Sequence, residues 1–402
     1  MARAQLCPFC FREFDLDEVQ WRCLHPACTS PESGRPLEVD QAYTDFLAEA
    51  TGTPRGPQQL KHSFGPIPRR KRLGGLLHTK DVRVAYCDWC NNVTERRLCP
   101  SCHNELPYTI DSMSMHIVAI VGAAAVGKSH YIAVLVNQLA NTLGLSFNLA
   151  IDALNDETTL RYRTEFADPL FKQKRTIVKS QQLDQKPLMY RLHLKTSTGS
   201  GRSVTLVFFD TAGENFATEA ELGLFARYVR HASAIILLVD PLQMGPIREQ
   251  LSNSRIPLPE EHVEPADIVA RLIHQYEAFG ITKTGKKTTV PVAVAFTKSD
   301  ALKEGGILKP GNAVYSGARH SGAFDSTTAL AIHDEVRSLM ARWQGAELDT
   351  LLDHYFARYQ YFALSALGDA PALDGTLTRI APFRVEDPFL WSLGEIGFLE
   401  RS

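Results

Sequence analysis

The chain has 402 residues, room for two or more domains, and the apolar, charged, glycine and proline contents of a soluble globular protein. A net charge of −2 gives no global pull toward nucleic acid or anionic membrane, and no apolar run approaches the ~18 residues of a membrane span. The opening MARAQLCPFC lacks an apolar signal-peptide segment, so a cytoplasmic protein is expected.

All eight cysteines lie before residue 103, as four pairs: Cys7 with Cys10, Cys23 with Cys28, Cys87 with Cys90, and Cys99 with Cys102. A reducing compartment argues against disulfides. CDWCNNVTERRLCPSC is C-x2-C-x8-C-x2-C, two tight turns whose sulfurs can close one tetrahedral site. Soft thiolates in that geometry favour zinc over magnesium or calcium. CPFCFREFDLDEVQWRCLHPAC supplies a looser second set. Spacing favours two sequential sites; an interleaved alternative joins the first pair to the third. His25 and His103 are left out, since sulfur fills each set. Sites without an open position are structural, so a zinc-held module is expected over residues 1–107. Within it, residues 61–80 read as a basic linker, with Arg69, Arg70, Lys71 and Arg72 contiguous. The run suits a nucleic-acid backbone or an acidic partner, or is simply solvated; it carries no interleaved aromatics for base stacking.

From residue 113 the texture is α/β, and residues 113–402 read as one nucleotide-binding domain with insertions. MHIVAIVG has the unbroken apolar run of a strand buried on both faces, and YIAVLVNQLANTL has helical spacing. Between them GAAAVGKS has the G-x4-G-K-S spacing of a backbone loop wrapped around phosphate. Gly122, Ala125, Val126, Gly127, Lys128, Ser129 and His130 are the candidate loop residues. Lys128 should reach the outer phosphates, and the Ser129 hydroxyl should hold magnesium.

VTLVFFDTAGEN ends a second buried strand with Asp210, able to hold the magnesium through water, and Gly213, whose N–H can meet a terminal phosphate. SAIILLVD is a third strand, ending at Asp240 without an obvious ligand. VAVAFTKSD, the fourth, ends in Thr297, Lys298 and Asp300. A carboxylate at Asp300 can accept from N1 and N2 of guanine; adenine offers no such pair of donors. The Lys298 stem can lie over the purine. YFALSALG brings Ser365, Ala366 and Leu367 to the end of a fifth strand, where a backbone N–H can meet the guanine oxygen.

GAAAVGKS, DTAG, TKSD and SAL resemble, in order, the phosphate, magnesium and guanine motifs of Ras-like and translation-factor-like P-loop GTPases. The resemblance covers about residues 113–402 and implies a mostly parallel sheet with helices on both faces. A double zinc ribbon joined to such a domain, with the ending FRVEDPFLWSL, is similar to bacterial double-GTPase families. In the GTPase class the residue after DTAG, often Gln or His, orients the attacking water. Here it is Glu214, which when ionised cannot donate a hydrogen bond and repels phosphate, so intrinsic hydrolysis is expected to be slow. The methyls of Ala124 and Ala125 could crowd an arginine supplied by a partner. For the switch threonine, a second magnesium ligand, Thr176 is the first choice and Thr158, Thr159 and Thr164 are rivals. Arg175 is a candidate internal arginine finger, or a solvated loop residue.

The leading expectation is a GTP-hydrolysing switch that binds Mg2+ and two structural Zn2+. Lys128, Thr176 and Glu214 are its catalytic candidates, and a protein partner engages the zinc module or switch loops. A non-hydrolysing GTP-binding adaptor and a nucleic-acid-associated NTPase using residues 69–72 are the alternatives.

Overall fold

The computed structural model describes residues 4–29, 34–51, 53–67, 70–73, 76–79, 83–177, 187–195, 201–208, 219–254, 256–259, 264–281, 285–317, 320, 322–372 and 374–400. The chain forms two compact units. One comprises Met1–Met115, Gln182–Pro187 and Ala217–Tyr228; the other comprises His116–Gln181, Leu188–Phe216 and Val229–Ser402.

The first unit is built from very short strands. β1 (Gln20–Arg22) is flanked by β2 (Ser63–Phe64) and β3 (Arg97–Leu98), both antiparallel to it, with Trp21 opposite Phe64 on one side and Arg97 on the other. Trp21 is buried, as is Phe46 of α1 (Gln41–Thr51). So small an apolar core needs further fastening. Part of it is polar: the buried Asp40 carboxylate takes the Arg22 guanidinium and lies 2.9 Å from His103 Nδ1. Burial alone would raise this carboxyl; bonds from His103 and the Tyr43 amide, with the Arg22 charge, outweigh burial and hold it below its usual value. Within the basic 61–80 stretch, Arg70–Leu73 and Leu76–Thr79 form an antiparallel hairpin; Arg69 lies outside the described residues.

The second unit centres on a seven-stranded sheet. From residue 114 onward the strands and longer α-helices are β4 (Ser114–Val121), α2 (Lys128–Ala140), β5 (Leu149–Ala153), β6 (Leu188–Leu194), β7 (Arg202–Phe208), α3 (Glu219–Arg230, grouped up to Tyr228 with the first unit), β8 (Ala232–Val239), α4 (Pro265–Ala278), β9 (Val292–Phe296), α5 (Ser326–Gln344), α6 (Glu347–Tyr355), β10 (Tyr359–Ala363) and α7 (Asp387–Glu395). The strand order is β5-β6-β7-β4-β8-β9-β10. The β4–β8, β8–β9 and β9–β10 pairs are parallel, whereas β5–β6 and β6–β7 are antiparallel. Residues Ile235 to Leu238 are each 0 % exposed. Because successive strand residues face opposite ways, both faces of the sheet are covered there. On the β10 edge, His333 Nδ1 accepts from the Tyr361 N–H at 3.0 Å, a side-chain cap for a strand group that would otherwise template another chain.

The five expected strands are present, and β6 over LMYRLHL joins them in the sheet. The region between α2 and β6 contributes β5, which extends the sheet. It continues into a helix at Asp156–Arg161 and a π-helix at Tyr162–Lys172. The FRVEDPFLWSL ending is anchored by Arg384. Its Nε and Nη2 donate to the Val314 and Gly317 carbonyls at 2.7 Å each, and Nη1 donates to Asp387 Oδ2 at 3.1 Å. Asp387 Oδ1 lies 3.2 Å from His320 Nε2. Among the described residues no helix is long and apolar enough to cross a membrane.

Candidate nucleotide site and zinc centres

The eight cysteines gather into two sulfur tetrads, and the pairing corrects the sequential expectation. Cys7 and Cys10 meet Cys99 and Cys102; Cys23 and Cys28 meet Cys87 and Cys90. The sites are nested, the second inside the first, and the first-with-third pairing is not formed either. The cause is the antiparallel β1–β3 pair, with Leu98 opposite Gln20 and Arg97 opposite Trp21. Cys99, just past Leu98, therefore emerges where β1 begins, beside the knuckle that precedes it. Cys23, just past Arg22, emerges at the opposite end, beside the knuckle that precedes β3.

The sulfurs fit zinc. Cross-tetrad separations are 3.7 Å for Cys7–Cys102, 3.8 Å for Cys10–Cys99, 3.6 Å for Cys23–Cys90 and 3.7 Å for Cys28–Cys87. A tetrahedron with ordinary Zn–S bonds has edges of about 3.8 Å. Three of the knuckles close by a backbone bond back to their first cysteine, from Phe11, Asn91 and His103, each at positive φ. The Phe9 and Ser101 amides point at Cys7 and Cys99 sulfur, each at 3.4 Å, which favours thiolate. Burial would raise the Cys90 thiol, but bonds from Asn92 and the neighbouring cysteines bring it down to about 6. Neither His25 nor His103 joins a tetrad.

The second unit holds a cavity of about 400 Å³ where the strand-end motifs converge. Ala125, Val126, Gly127 and His130 line it from the loop and α2; Thr297, Lys298 and Asp300 from the end of β9; and Ser365, Ala366 and Leu367 from the end of β10. Thr176 lines it too. Its rivals are placed otherwise: the Thr158 hydroxyl accepts the Met189 N–H, and those of Thr159 and Thr164 donate to helix carbonyls.

Two loop residues adopt the left-handed backbone conformation that anion-binding turns use. Gly127 at φ 93° is the N-cap of α2, and Ala125 sits at φ 58°. Gly122 is obligatory, since a Cβ there would stand 2.6 Å from the Leu238 carbonyl oxygen. Lys128 is buried, its ammonium donating to the Gly122 and Ala123 carbonyls at 3.0 and 2.9 Å. Polyphosphate oxygens are strong acceptors for such an ammonium. Gln243 Nε2 holds the Ala124 carbonyl at 2.9 Å. Ser129 lies in the first turn of α2. Asp210, Gly213 and Glu214 lie outside the described residues.

On the base side, Ser365 Oγ accepts the Gly368 N–H at 2.8 Å, and a Cβ at Gly368 would meet the Ala381 oxygen at 2.0 Å, so SALG needs its glycine. Two residues acquire roles that the sequence does not announce. Asp240, fully buried, takes the Lys298 ammonium at 2.5 Å and the Leu242 N–H at 3.0 Å, tying the end of β8 to TKSD. Burial raises its carboxyl and the Lys298 charge pulls the other way. The acid ending SAIILLVD was the available signal. His130 Nε2 accepts the Ile177 N–H at 3.1 Å, and burial plus the Lys298 charge lowers the imidazole to about 4, so it stays neutral. Nothing in the local sequence marks that bond.

A family model described as Double-GTPase 2 matches residues 116–344. The chain belongs to this family. It is 31 % identical over 414 residues to SaeC of Mycolicibacterium smegmatis, a protein provisionally named for ESX-1 scaffolding and assembly; the match spans 98 % of this chain and 99 % of SaeC. Among solved structures it is similar to the small GTPase Arl6 BBS3 of Trypanosoma brucei with bound GppNp, at 14 % identity and a TM-score of 0.28, covering 71 % of this chain and 100 % of that one. It is also similar to the signal recognition particle receptor SRb-GTP/SRX complex of Chaetomium thermophilum, at 12 % identity and a TM-score of 0.27, covering 65 % and 95 %. Family membership supports GTP as the ligand of this double-GTPase chain, together with a divalent metal.

Proposed function

We propose that the protein is a GTP-hydrolysing switch whose zinc module engages a protein partner. The observation that carries this is the single cavity reached by the phosphate loop, TKSD and SAL together. In this reading the loop amides and Lys128 bind the β- and γ-phosphates, Asp300 accepts from guanine, and Lys298 covers the purine. Ser129, Asp210 and Thr176 would hold magnesium, which when bound offsets charge on the phosphate oxygens. Water attacks the γ-phosphorus in line, the bond to the β–γ bridging oxygen breaks, and GDP leaves with inorganic phosphate. Glu214 can take a proton from that water but cannot donate to phosphate while ionised, which makes for slow turnover.

The partner reading draws support from the first unit. α3 follows DTAG in the chain, and residues up to Tyr228 belong with the zinc module. Arg227 donates to the Cys10 carbonyl at 2.8 Å and to Glu49 at 2.6 Å, and the Phe11 and Tyr228 rings lie 5.3 Å apart. SaeC's name makes scaffolding and assembly of protein partners the natural class of task.

The test is phosphate release from GTP by the zinc-loaded protein with magnesium, beside Lys128→Ala and an ATP control. Release with GTP alone, abolished in the variant, is expected. Tight GTP binding without release would leave a non-hydrolysing adaptor, and equal turnover of ATP would overturn the reading of Asp300.

A further inference from the structure

The π-helix ends at Lys172, and the chain then turns through Lys174 at φ 51°. Beyond the turn it enters a small ladder with residues far away in the sequence. Thr176 N–H donates to the Gly375 carbonyl at 2.8 Å, and Leu377 N–H donates to the Lys174 carbonyl at 2.7 Å. Arg175 and Thr376 are thus bridged antiparallel, and Arg175 also reaches the Asp374 carbonyl at 3.3 Å. The next residue, Ile177, is held by His130 of α2 through the imidazole nitrogen described above. The ladder is a wall of the nucleotide cavity: Thr176 lines it from one strand, and Asp369 to Ala372, just before the other, line it too.

We infer that this ladder is a strap across the ribose and purine of the bound nucleotide, that His130 is its latch, and that opening it limits nucleotide release. The inference rests on the guanosine-nucleotide reading of the cavity. It assigns His130 and Gly375 as positioning residues for the strap. The cavity meets the phosphate loop and the base motif, so a nucleotide filling it lays its sugar along the wall between them. Leaving then requires that wall to part. The latch works only with an acceptor at the Ile177 N–H, which a neutral imidazole supplies and a methyl does not. Gly375 matters for a separate reason. It sits at φ +79°, and a Cβ there would stand 2.7 Å from Thr176 Oγ1, driving the two strands apart. Pinned in this way, Thr176 has its amide committed to the strap, so any reach of its hydroxyl toward magnesium is coupled to strap position.

The experiment is dissociation of radiolabelled GDP from the full-length, zinc-loaded protein, chased with excess unlabelled GDP, with association rates measured in parallel. Losing the latch acceptor removes the side-chain partner of a half-buried N–H, so His130→Ala should release GDP about tenfold faster with little change in association. His130→Gln, whose amide oxygen can accept the same N–H, should restore most of the slow release. Gly375→Ala should accelerate release independently, and it decides the matter if His130→Ala does not fold. Hydrogen exchange at Thr176 and Leu377 should be slow in the loaded wild type and fast in both faster-releasing variants. Normal GDP binding with unchanged release in both variants overturns the strap alone. Failure of the wild type to bind any guanosine nucleotide overturns the nucleotide reading and the strap with it.

Discussion

Nesting of the zinc sites makes a prediction that spacing alone would get wrong. Replacing Cys7 and Cys10 together by serine removes the outer site. If the sites are nested, Cys99 and Cys102 lose their metal while Cys23, Cys28, Cys87 and Cys90 keep theirs. The outer site closes a loop with a 95-residue separation between Cys7 and Cys102, and the inner site already bridges the 67 residues between Cys23 and Cys90. With the inner site formed, only the difference between those separations, about 28 residues, remains to be closed by the outer one. Loop entropy of the form (3/2)RT ln n then makes outer closure about 1 kcal/mol easier, roughly sixfold in zinc affinity. By linkage the same factor must appear in the inner site when the outer is loaded. Two assays read this. Iodoacetamide labelling with mass spectrometry should find Cys99 and Cys102 modified in the double variant and the inner four protected. Zinc competition titrations should show inner-site affinity falling about sixfold. Labelling of Cys23 and Cys28 instead would restore sequential pairing and refute the derivation from the β1–β3 register.

Four further outcomes are expected. Lys128→Ala should weaken GTP binding about 10–100-fold, the worth of a lost charge-assisted contact, with phosphate release undetectable; calorimetry and a phosphate sensor check it. Asp300→Asn replaces two acceptor oxygens with one acceptor and one donor, so the preference for GTP over ATP should collapse from about 10⁴ while xanthosine triphosphate, which offers an oxygen to that donor, should gain. Arg384→Met should cost about 3–5 kcal/mol, because it removes the guanidinium from the buried Asp387, leaving it the His320 contact, and takes the donor from two carbonyls; urea unfolding followed by tryptophan fluorescence should show it, and a loss below about 1 kcal/mol would mean that solvent reaches the site. Arg227→Ala should retain both zinc ions yet speed amide exchange across residues 224–229, reporting a loosened α3.

What could be read from the sequence, and what could not, divides along physical lines. The β4, β8 and β9 strands were legible because a strand covered on both faces must be apolar at every position, and a run such as SAIILLVD has few other uses. The phosphate loop was legible because Gly122 and Gly127 are imposed by close approach and positive φ, both properties of single residues. β5 was not: it is an edge strand of LAIDA with one buried residue of five, too short and mixed to stand out between helices. The zinc ligands were legible as residues and illegible as partners. A knuckle is local, but which knuckles share an ion depends on the direction of two strands some 75 residues apart.

The same contrast explains why the latch and the strap are invisible in the sequence. His130 belongs to the loop motif by position, and its backbone could serve phosphate whatever its side chain. Its ring nitrogen acts on Ile177, 47 residues on, and the strand that Ile177 extends pairs with residues almost 200 further along. Contacts of that reach appear only once the sheet has brought the ends of β4, β9 and β10 to one edge. Their placement there carries a functional argument. A cavity whose floor comes from strand ends is fixed by the core, so the part free to open is the wall made of connecting segments. Among the described residues that wall carries two backbone hydrogen bonds, the Arg175 bond to the Asp374 carbonyl and one imidazole, few enough to open and, in the proposed reading, enough to delay opening. In the proposed reading the phosphate loop and base motif set which nucleotide is held, and the strap sets for how long.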